Sequence, residues 1–182
     1  MDTTSPRRHD LRLAGYDYSQ PGSYFVTICT HGRACTLGQI DDTGLSLSLD
    51  GSTVEQSWRW LQARYCYVTL DAFVVMPNHL HGILTIASLE PTISTRKPLG
   101  RLLASFKTVS AHRINTAHAT PGQLVWQRGY FEHVIRNDAS LMRIRSYIES
   151  NPDRWSLDPQ NPQYRAPATR TNSTPDEPPW MV

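Results

Sequence analysis

Apolar side chains recur along this chain with two different periods, and the period predicts the type of each element. Residues 23–30 form a run of β-branched and aromatic residues that follows a turn-forming Gln-Pro-Gly sequence, and residues 45–49 alternate strictly between leucine and serine. Both patterns are typical of β-strands. The same reasoning predicts further strands over residues 65–73, over a stretch that begins at His79, and over residues 130–135.

Three other segments carry apolar residues at the three- and four-residue spacing of an amphipathic helix. Asp50-Gly51-Ser52 offers an N-cap for the first helix, and Asn137-Asp138 offers one for the third. Asn151-Pro152 ends the third helix, because proline cannot continue one. The predicted helices cover residues 53–64, 99–115 and 139–150.

The order of these elements predicts the fold class. Short connections between successive strands favour antiparallel pairing, and the order β–β–α–β–β–α–β–α is typical of an α+β protein. We expect a ferredoxin-like sandwich, in which an antiparallel sheet carries helices on one face. Within the 182 residues we expect a disordered N-terminus over 1–12, one domain over 13–157, and a proline-rich flexible tail over 158–182.

Composition narrows the class of protein. The three cysteines, Cys29, Cys35 and Cys66, show no C-x-x-C spacing, which argues against a disulfide framework and a zinc knuckle. The first ten residues are polar and no apolar stretch reaches membrane-spanning length, so we expect an intracellular protein that does not enter a membrane. The formal net charge is only +2, so overall charge does not by itself indicate nucleic-acid binding.

Two histidines separated by one apolar residue form the most informative motif. His79-Leu80-His81 stands at the start of a predicted buried strand, where residues two apart face the same side. Two neutral imidazoles that converge on one point suit a divalent metal. The alternative interpretation is that both histidines are partly buried and hydrogen-bonded to their neighbours.

A second motif ends the third predicted helix. Tyr147 and Asn151 are four residues apart and therefore share one face of that helix. A hard cation such as Mg²⁺ or Mn²⁺ accepts an asparagine carbonyl oxygen beside two imidazoles, and Tyr147 would then act as the nucleophile on a phosphate. The alternative is a surface tyrosine beside an asparagine that ends the helix.

Three stretches together resemble a known family. His79-Leu80-His81, the segment from Val125 to Arg136, and the segment from Tyr147 to Pro152 resemble the single-tyrosine transposases of the HUH nuclease superfamily. The nearest branch is the REP-associated tyrosine transposases. The resemblance extends over residues 12–157.

The resemblance implies specific roles. His79, His81 and Asn151 would be metal ligands for Mg²⁺ or Mn²⁺, and Tyr147 would be the catalytic nucleophile. The family cleaves single-stranded DNA at or near hairpins, leaves a 5′-phosphotyrosine and a free 3′-hydroxyl, and uses no ATP. It also implies a bacterial cytoplasmic location at the nucleoid. Relatives include dimers and monomers, so a homodimer is one open expectation.

Basic and aromatic residues supply candidate DNA contacts. The candidates for binding phosphates are Lys107, Arg128, Arg136 and Arg143, although a solvated helix face explains clustered arginines equally well. Trp126 and Tyr130 would either stack on bases or lie in the core, and we favour the core. Glu132 and His133 have no assigned role.

Two other functions remain open at this point. The first is a non-catalytic protein that binds single-stranded DNA hairpins with the same fold. The second is a hydrolase in which the same metal activates water and Tyr147 is not used.

Overall fold

The computed structural model describes residues 17–18, 20–88 and 96–164. Within these residues the strands are β1 (Gly22–Cys29), β2 (Gly38–Asp41), β3 (Gly44–Leu47), β4 (Val68–Met76), β5 (His79–Ile86) and β6 (Phe131–Ile135). The helices in the same part of the chain are α1 (Leu49–Arg64), α2 (Leu99–Ala117) and α3 (Asp138–Ser150), and short 3₁₀ turns cover His31–Arg33 and Pro152–Leu157. The predicted disordered segment 1–12 lies outside the described residues.

Four strands form the central sheet in the order β4-β5-β1-β6, and each neighbouring pair is antiparallel. β2 and β3 pair separately as a two-stranded ribbon. Without that ribbon, the order β1-α1-β4-β5-α2-β6 and the strand arrangement are those of a ferredoxin-like sandwich. The predicted α+β class with an antiparallel sheet is confirmed.

Helices lie on both faces of this sheet, which corrects one detail of the prediction. Tyr24 and Val26 of β1 belong to the larger core cluster, together with residues of α1 and α2. Phe25, which points to the opposite face, packs in a second cluster with Ile144 and Ile148 of α3. We expected all helices on one face, but both faces of the central strands are apolar, so both need a covering layer.

The start of α1 is another correction. Its N-cap is Ser48, whose Oγ accepts a hydrogen bond from the Gly51 amide at 3.0 Å, so the Asp50-Gly51-Ser52 sequence lies inside the helix. Gly51 is needed there because a side chain would collide with the Leu37 carbonyl. β2 was not predicted, since its four residues are half-exposed and carry little hydrophobic pattern.

The predicted tail also begins too early. Residues 158–164 are part of the described structure, and Asp158 is buried against the end of the sheet that carries the histidines. Residues 165–182 of that predicted tail lie outside the described residues. No helix in the described part of the chain is long and apolar enough to span a bilayer.

Candidate metal and nucleophile site

The paired histidines lie together at the first residues of β5. Antiparallel pairing with β1 places His79 opposite Cys29 and His81 opposite Thr27. Both imidazoles are on the face of the sheet that α3 covers, and their Nε2 atoms are 3.0 Å apart. His79 is fully buried and His81 is 3% exposed, so water has little access to either ring.

Burial keeps both histidines neutral. Desolvation, with a smaller contribution from the Arg33 charge, lowers the pKa of His79 from 6.5 to about 3. Desolvation and the neighbouring His79 together hold the pKa of His81 well below 6.5. At neutral pH both rings are therefore unprotonated at one nitrogen, which is the form that binds a metal ion.

α3 brings Tyr147 to the histidines. Asn137 caps the helix by accepting a hydrogen bond from the Ser140 amide at 2.8 Å, as its position in the sequence predicts. The Tyr147 hydroxyl lies 3.3 Å from Nε2 of His81, and the two ring centroids are 5.2 Å apart. The Tyr147 ring also packs edge-on against Phe25, which limits its freedom to turn away.

Asn151 caps the C-terminal end of the same helix and is 4% exposed. Its side chain hydrogen-bonds to Tyr147, so the amide and the phenol lie together beside the imidazoles. An ion pair between Arg145 and Asp71 of β4, with nitrogen and oxygen 2.6 Å apart, holds the helix against the sheet edge. The end of α3 and the histidine pair therefore lie at one place in the fold.

The phenol of Tyr147 is protonated at neutral pH in this environment. Burial and the negative charge of Asp158 raise its pKa to about 12, while the hydrogen bond from Asn151 and the charge of Arg154 oppose that rise. Phenolate is the nucleophilic form of a tyrosine. A nearby positive charge would therefore favour reactivity here.

Asp158 is a site residue that sequence analysis missed. The 3₁₀ turn after α3 returns the chain to the sheet, so Asp158 Oδ2 lies 3.8 Å from Nε2 of His79. Burial raises the pKa of this carboxyl group. In the sequence, Trp155 hints that this segment packs against the domain, because it is an aromatic residue just before the predicted tail. Its ring centroid lies 6.1 Å from that of His79.

The donor atoms at this site fit a divalent cation. Ligand atoms of His79, His81 and Asp158 all lie within 4.8 Å of one another. Asn151 Oδ1 and Asp158 Oδ2 are buried and have no hydrogen-bond partner among the described residues. Buried polar atoms are normally paired, so two unpaired oxygens beside two imidazole nitrogens indicate a missing ligand. Mixed nitrogen and oxygen donors suit a divalent metal ion.

The four candidate DNA-binding residues do not form one group. Arg128, Arg136 and Arg143 are exposed, whereas the Lys107 ammonium donates to the backbone carbonyls of Gln127 and Gly129. The Gln127 amide bonds to the Cys29 carbonyl at 2.9 Å, so the adjoining Arg128 lies at the histidine end of the sheet. Arg136 follows the opposite end of β6, where Ile135 pairs with Ser23.

The aromatic candidates belong to the core. Trp126 is 8% exposed, packs against Phe106, and donates from Nε1 to Ser110 at 2.9 Å. Tyr130 packs partly buried against the same core cluster. His133 is half-buried, and burial followed by the Arg136 charge lowers its pKa. The core interpretation of Trp126 and Tyr130 therefore agrees with the structure.

Two exposed arginines lie close enough to the site to act on its charges, and sequence analysis did not single them out. The Arg33 charge lowers the pKa values of His79 and Asp158, and the Arg154 charge lowers that of Tyr147. Arg33 also has a φ of 56°, a left-handed conformation that is uncommon for a residue with a side chain.

Three comparisons relate this chain to known proteins. Residues 55–151, more than half of the chain, match the family model described as "Transposase IS200 like". An uncharacterized protein of Haemophilus influenzae is 34% identical over 168 residues, which span 83% of this chain and 91% of the relative. A solved REP-associated tyrosine transposase bound to a REP hairpin superposes with a TM-score of 0.57 and 19% identity, covering 79% of this chain and 74% of that one. That last match shows a shared fold.

Proposed function

Because this chain belongs to the IS200-like transposase family, we propose that it cleaves and rejoins single-stranded DNA near hairpins through a covalent 5′-phosphotyrosine at Tyr147. The observation that carries the proposal is the contact between the two motifs: the Tyr147 hydroxyl lies 3.3 Å from Nε2 of His81. A partly buried tyrosine beside paired imidazoles and unpaired oxygen donors has the groups needed for metal-assisted phosphoryl transfer.

His79, His81 and Asn151 would hold the metal ion, with Asp158 as a further oxygen donor. A bound Mg²⁺ or Mn²⁺ supplies Lewis-acid polarisation of a phosphate oxygen at this position. The carboxylate of Asp158 offsets part of the cation's charge, which would otherwise be costly to bury beside two neutral rings. The four side chains come from β5, the end of α3 and the segment after it, so correct packing of α3 sets the site.

The covalent step at Tyr147 balances in bonds and protons. The Tyr147 oxygen forms a bond to phosphorus while the bond from phosphorus to the 3′-oxygen breaks, and that oxygen leaves as a 3′-hydroxyl after gaining a proton. The phenol releases its proton to solvent as the 3′-oxygen takes one up, so no net proton is consumed, and both the Asn151 hydrogen bond and the Arg154 charge favour the phenolate. One phosphodiester is exchanged for another, so the free 3′-hydroxyl can reverse the reaction and rejoin DNA without ATP.

We infer that the DNA strand enters past exposed arginines at the histidine end of the sheet. Arg33 and Arg154 act electrostatically on the site residues, and Arg128 adjoins the same end. Arginine binds phosphates through several donors at once, so these three side chains can position the strand for cleavage. The solved relative is bound to a REP hairpin, which supports a DNA hairpin as the partner here.

The test uses labelled single-stranded DNA hairpins from the region that flanks the gene, incubated with the protein and Mg²⁺ or Mn²⁺. We expect strand cleavage and a protein–DNA adduct that survives denaturation. The Tyr147→Phe variant removes only the hydroxyl group and keeps the ring contacts with Phe25 and His81, so it should bind the hairpin and form no adduct. The Tyr164→Phe variant is the matched control, and it should still cleave.

The two remaining alternatives give different results in the same experiment. A non-catalytic hairpin-binding protein would bind the DNA and leave it intact with every divalent metal. A hydrolase that uses water would cleave the hairpin, form no adduct, and keep its activity in the Tyr147→Phe variant. Either outcome would contradict the proposal and support the corresponding alternative.

A further inference from the structure

The side chain of Asn78 joins three separate parts of the site. Asn78 lies in the turn between β4 and β5 and is 1% exposed. Its Nδ2 donates to the backbone carbonyl of Arg33 at 3.1 Å and to that of Gln160 at 2.7 Å, while Oδ1 lies 2.8 Å from Nδ1 of His79. Every polar atom of this amide therefore has a partner.

These contacts fix which end of the Asn78 amide faces the histidine. A backbone carbonyl only accepts hydrogen bonds, so the atom between the carbonyls of Arg33 and Gln160 must be the NH₂ group. The atom that faces His79 is then the amide oxygen, which also only accepts. Nδ1 of His79 must therefore carry a proton and donate it to Asn78.

A neutral imidazole carries a single N–H, so the proton at Nδ1 leaves Nε2 of His79 with a lone pair. That lone pair points toward Nε2 of His81 and lies 3.8 Å from Asp158 Oδ2, where the metal donors converge. The Nδ1–H form is the less common tautomer of a free histidine. The surroundings of His79 must supply the preference.

We propose that Asn78 is a positioning residue that holds His79 in the Nδ1–H tautomer before any metal arrives, so that Nε2 is ready to bind one. The metal part of this inference rests on the proposed function, but the tautomer itself does not. Donation from the free ring nitrogen of a ligand histidine to a neighbouring acceptor is a general way to orient metal ligands.

The contacts of His81 do not fix its tautomer in the same way. Its Nδ1 lies 2.8 Å from the Thr27 hydroxyl, and a hydroxyl can donate or accept. Its Nε2 lies 3.0 Å from the unprotonated Nε2 of His79, to which it could only donate, and 3.3 Å from the Tyr147 hydroxyl, which can donate to it or accept from it. Of the two histidines, only His79 has neighbours that determine which nitrogen carries the proton.

Long-range proton–nitrogen NMR of protein labelled with ¹⁵N-histidine shows which ring nitrogen of His79 carries the proton. In the metal-free protein we expect His79 as the Nδ1–H form. Addition of a diamagnetic divalent ion, Mg²⁺, should leave the proton of His79 at Nδ1. The measurement needs neither DNA nor cleavage.

Two variants separate positioning from a purely structural role. Asn78→Asp keeps an acceptor opposite Nδ1 but loses both donations to the carbonyls of Arg33 and Gln160, whereas Asn78→Ala loses all three contacts. We expect Nδ1 of His79 to stay protonated in the Asp variant and to lose its proton in the Ala variant. Mn²⁺ affinity, measured by electron paramagnetic resonance, should fall about 10- to 100-fold in the Ala variant and be largely restored by Asp.

A metal-free wild-type spectrum with His79 in the Nε2–H form would overturn the inference, and that spectrum is decisive even if both variants fail to fold. An Ala variant that folds and keeps the Nδ1–H form would also overturn it. Absence of cleavage by a protein with the expected tautomers would instead count only against the proposed function.

Discussion

Acid should destabilise this protein through its buried histidines, and His79 gives the effect a calculable size. The pKa of His79 is about 3 in the folded protein, compared with 6.5 for an unperturbed histidine. Between these two values the unfolded chain binds a proton that the folded chain does not. The contribution of His79 to stability is therefore fully present above pH 6.5 and is lost progressively as the pH falls toward 3.

The magnitude follows from that shift. The full difference between the folded and unfolded pKa of His79 corresponds to at most about 5 kcal/mol in the free energy of unfolding, because one pKa unit is worth about 1.4 kcal/mol. Between about pH 7 and about pH 4 the linkage relation gives a loss of about 3 kcal/mol in the free energy of unfolding. For a domain of this size that is a large part of the total stability.

The assay compares urea unfolding of the wild-type protein and of His79→Gln, both free of metal, at these two pH values. Glutamine does not titrate, so its own packing cost is the same at each pH and cancels in the comparison. We expect the stability difference between the two proteins to change by about 3 kcal/mol in favour of the variant on acidification. A difference that stays constant within about 0.5 kcal/mol would refute the claim that His79 is buried in its neutral form.

Three further perturbations test the packing that holds the site together. A Cβ atom at Gly82 would lie 2.7 Å from Cζ2 of the buried Trp58, so Gly82→Ala should lower the free energy of unfolding by about 1–3 kcal/mol; an unchanged thermal midpoint would contradict this contact. Ile148→Ala should lower the free energy of unfolding in urea by about 2–4 kcal/mol, because Ile148 packs α3 onto the sheet. The same change should slow cleavage, and full activity would contradict that role. Asp71→Asn should lower the free energy of unfolding by up to about 1 kcal/mol near neutral pH, because it removes the partly exposed ion pair with Arg145, which lowers the Asp71 pKa below 3.8. The loss should vanish in acid, where Asp71 of the wild-type protein is protonated. A loss in urea unfolding that persists in acid would contradict this role of the ion pair.

Local patterns in the sequence were sufficient for most of the framework. The β-branched run of β1 and the amphipathic spacing of α2 predict these elements because neighbouring residues alone set the period. The two motifs of the site are local in the same sense: His79 and His81 share a strand face, and Tyr147 and Asn151 share a helix face. That the two motifs lie close together is an inference from the metal chemistry they would share, and in the structure the Tyr147 hydroxyl lies 3.3 Å from Nε2 of His81.

The features that sequence analysis missed depend on contacts between distant residues. Asp158 reaches His79 only because a 3₁₀ turn reverses the chain after α3, and proline-rich composition gave no sign of that reversal. α3 lies on the opposite face from α1 and α2 because its Ile144 packs against Phe25 of β1, and no periodicity within one segment reveals which face of the sheet a helix covers. The predicted homodimer stays a prediction.

We propose that Tyr147 becomes linked to the 5′ phosphate created by the cut, and peptide mapping of the adduct identifies both the residue and the DNA fragment that are joined. A hairpin substrate labelled separately on each side of the cleavage site is incubated with the protein, and the denatured adduct is digested and analysed by mass spectrometry. We expect one modified peptide, with the phosphate on Tyr147 and the label from the 3′ portion of the substrate, whose new 5′ end is bound. Attachment to any other residue, or retention of the label from the opposite side, would contradict it.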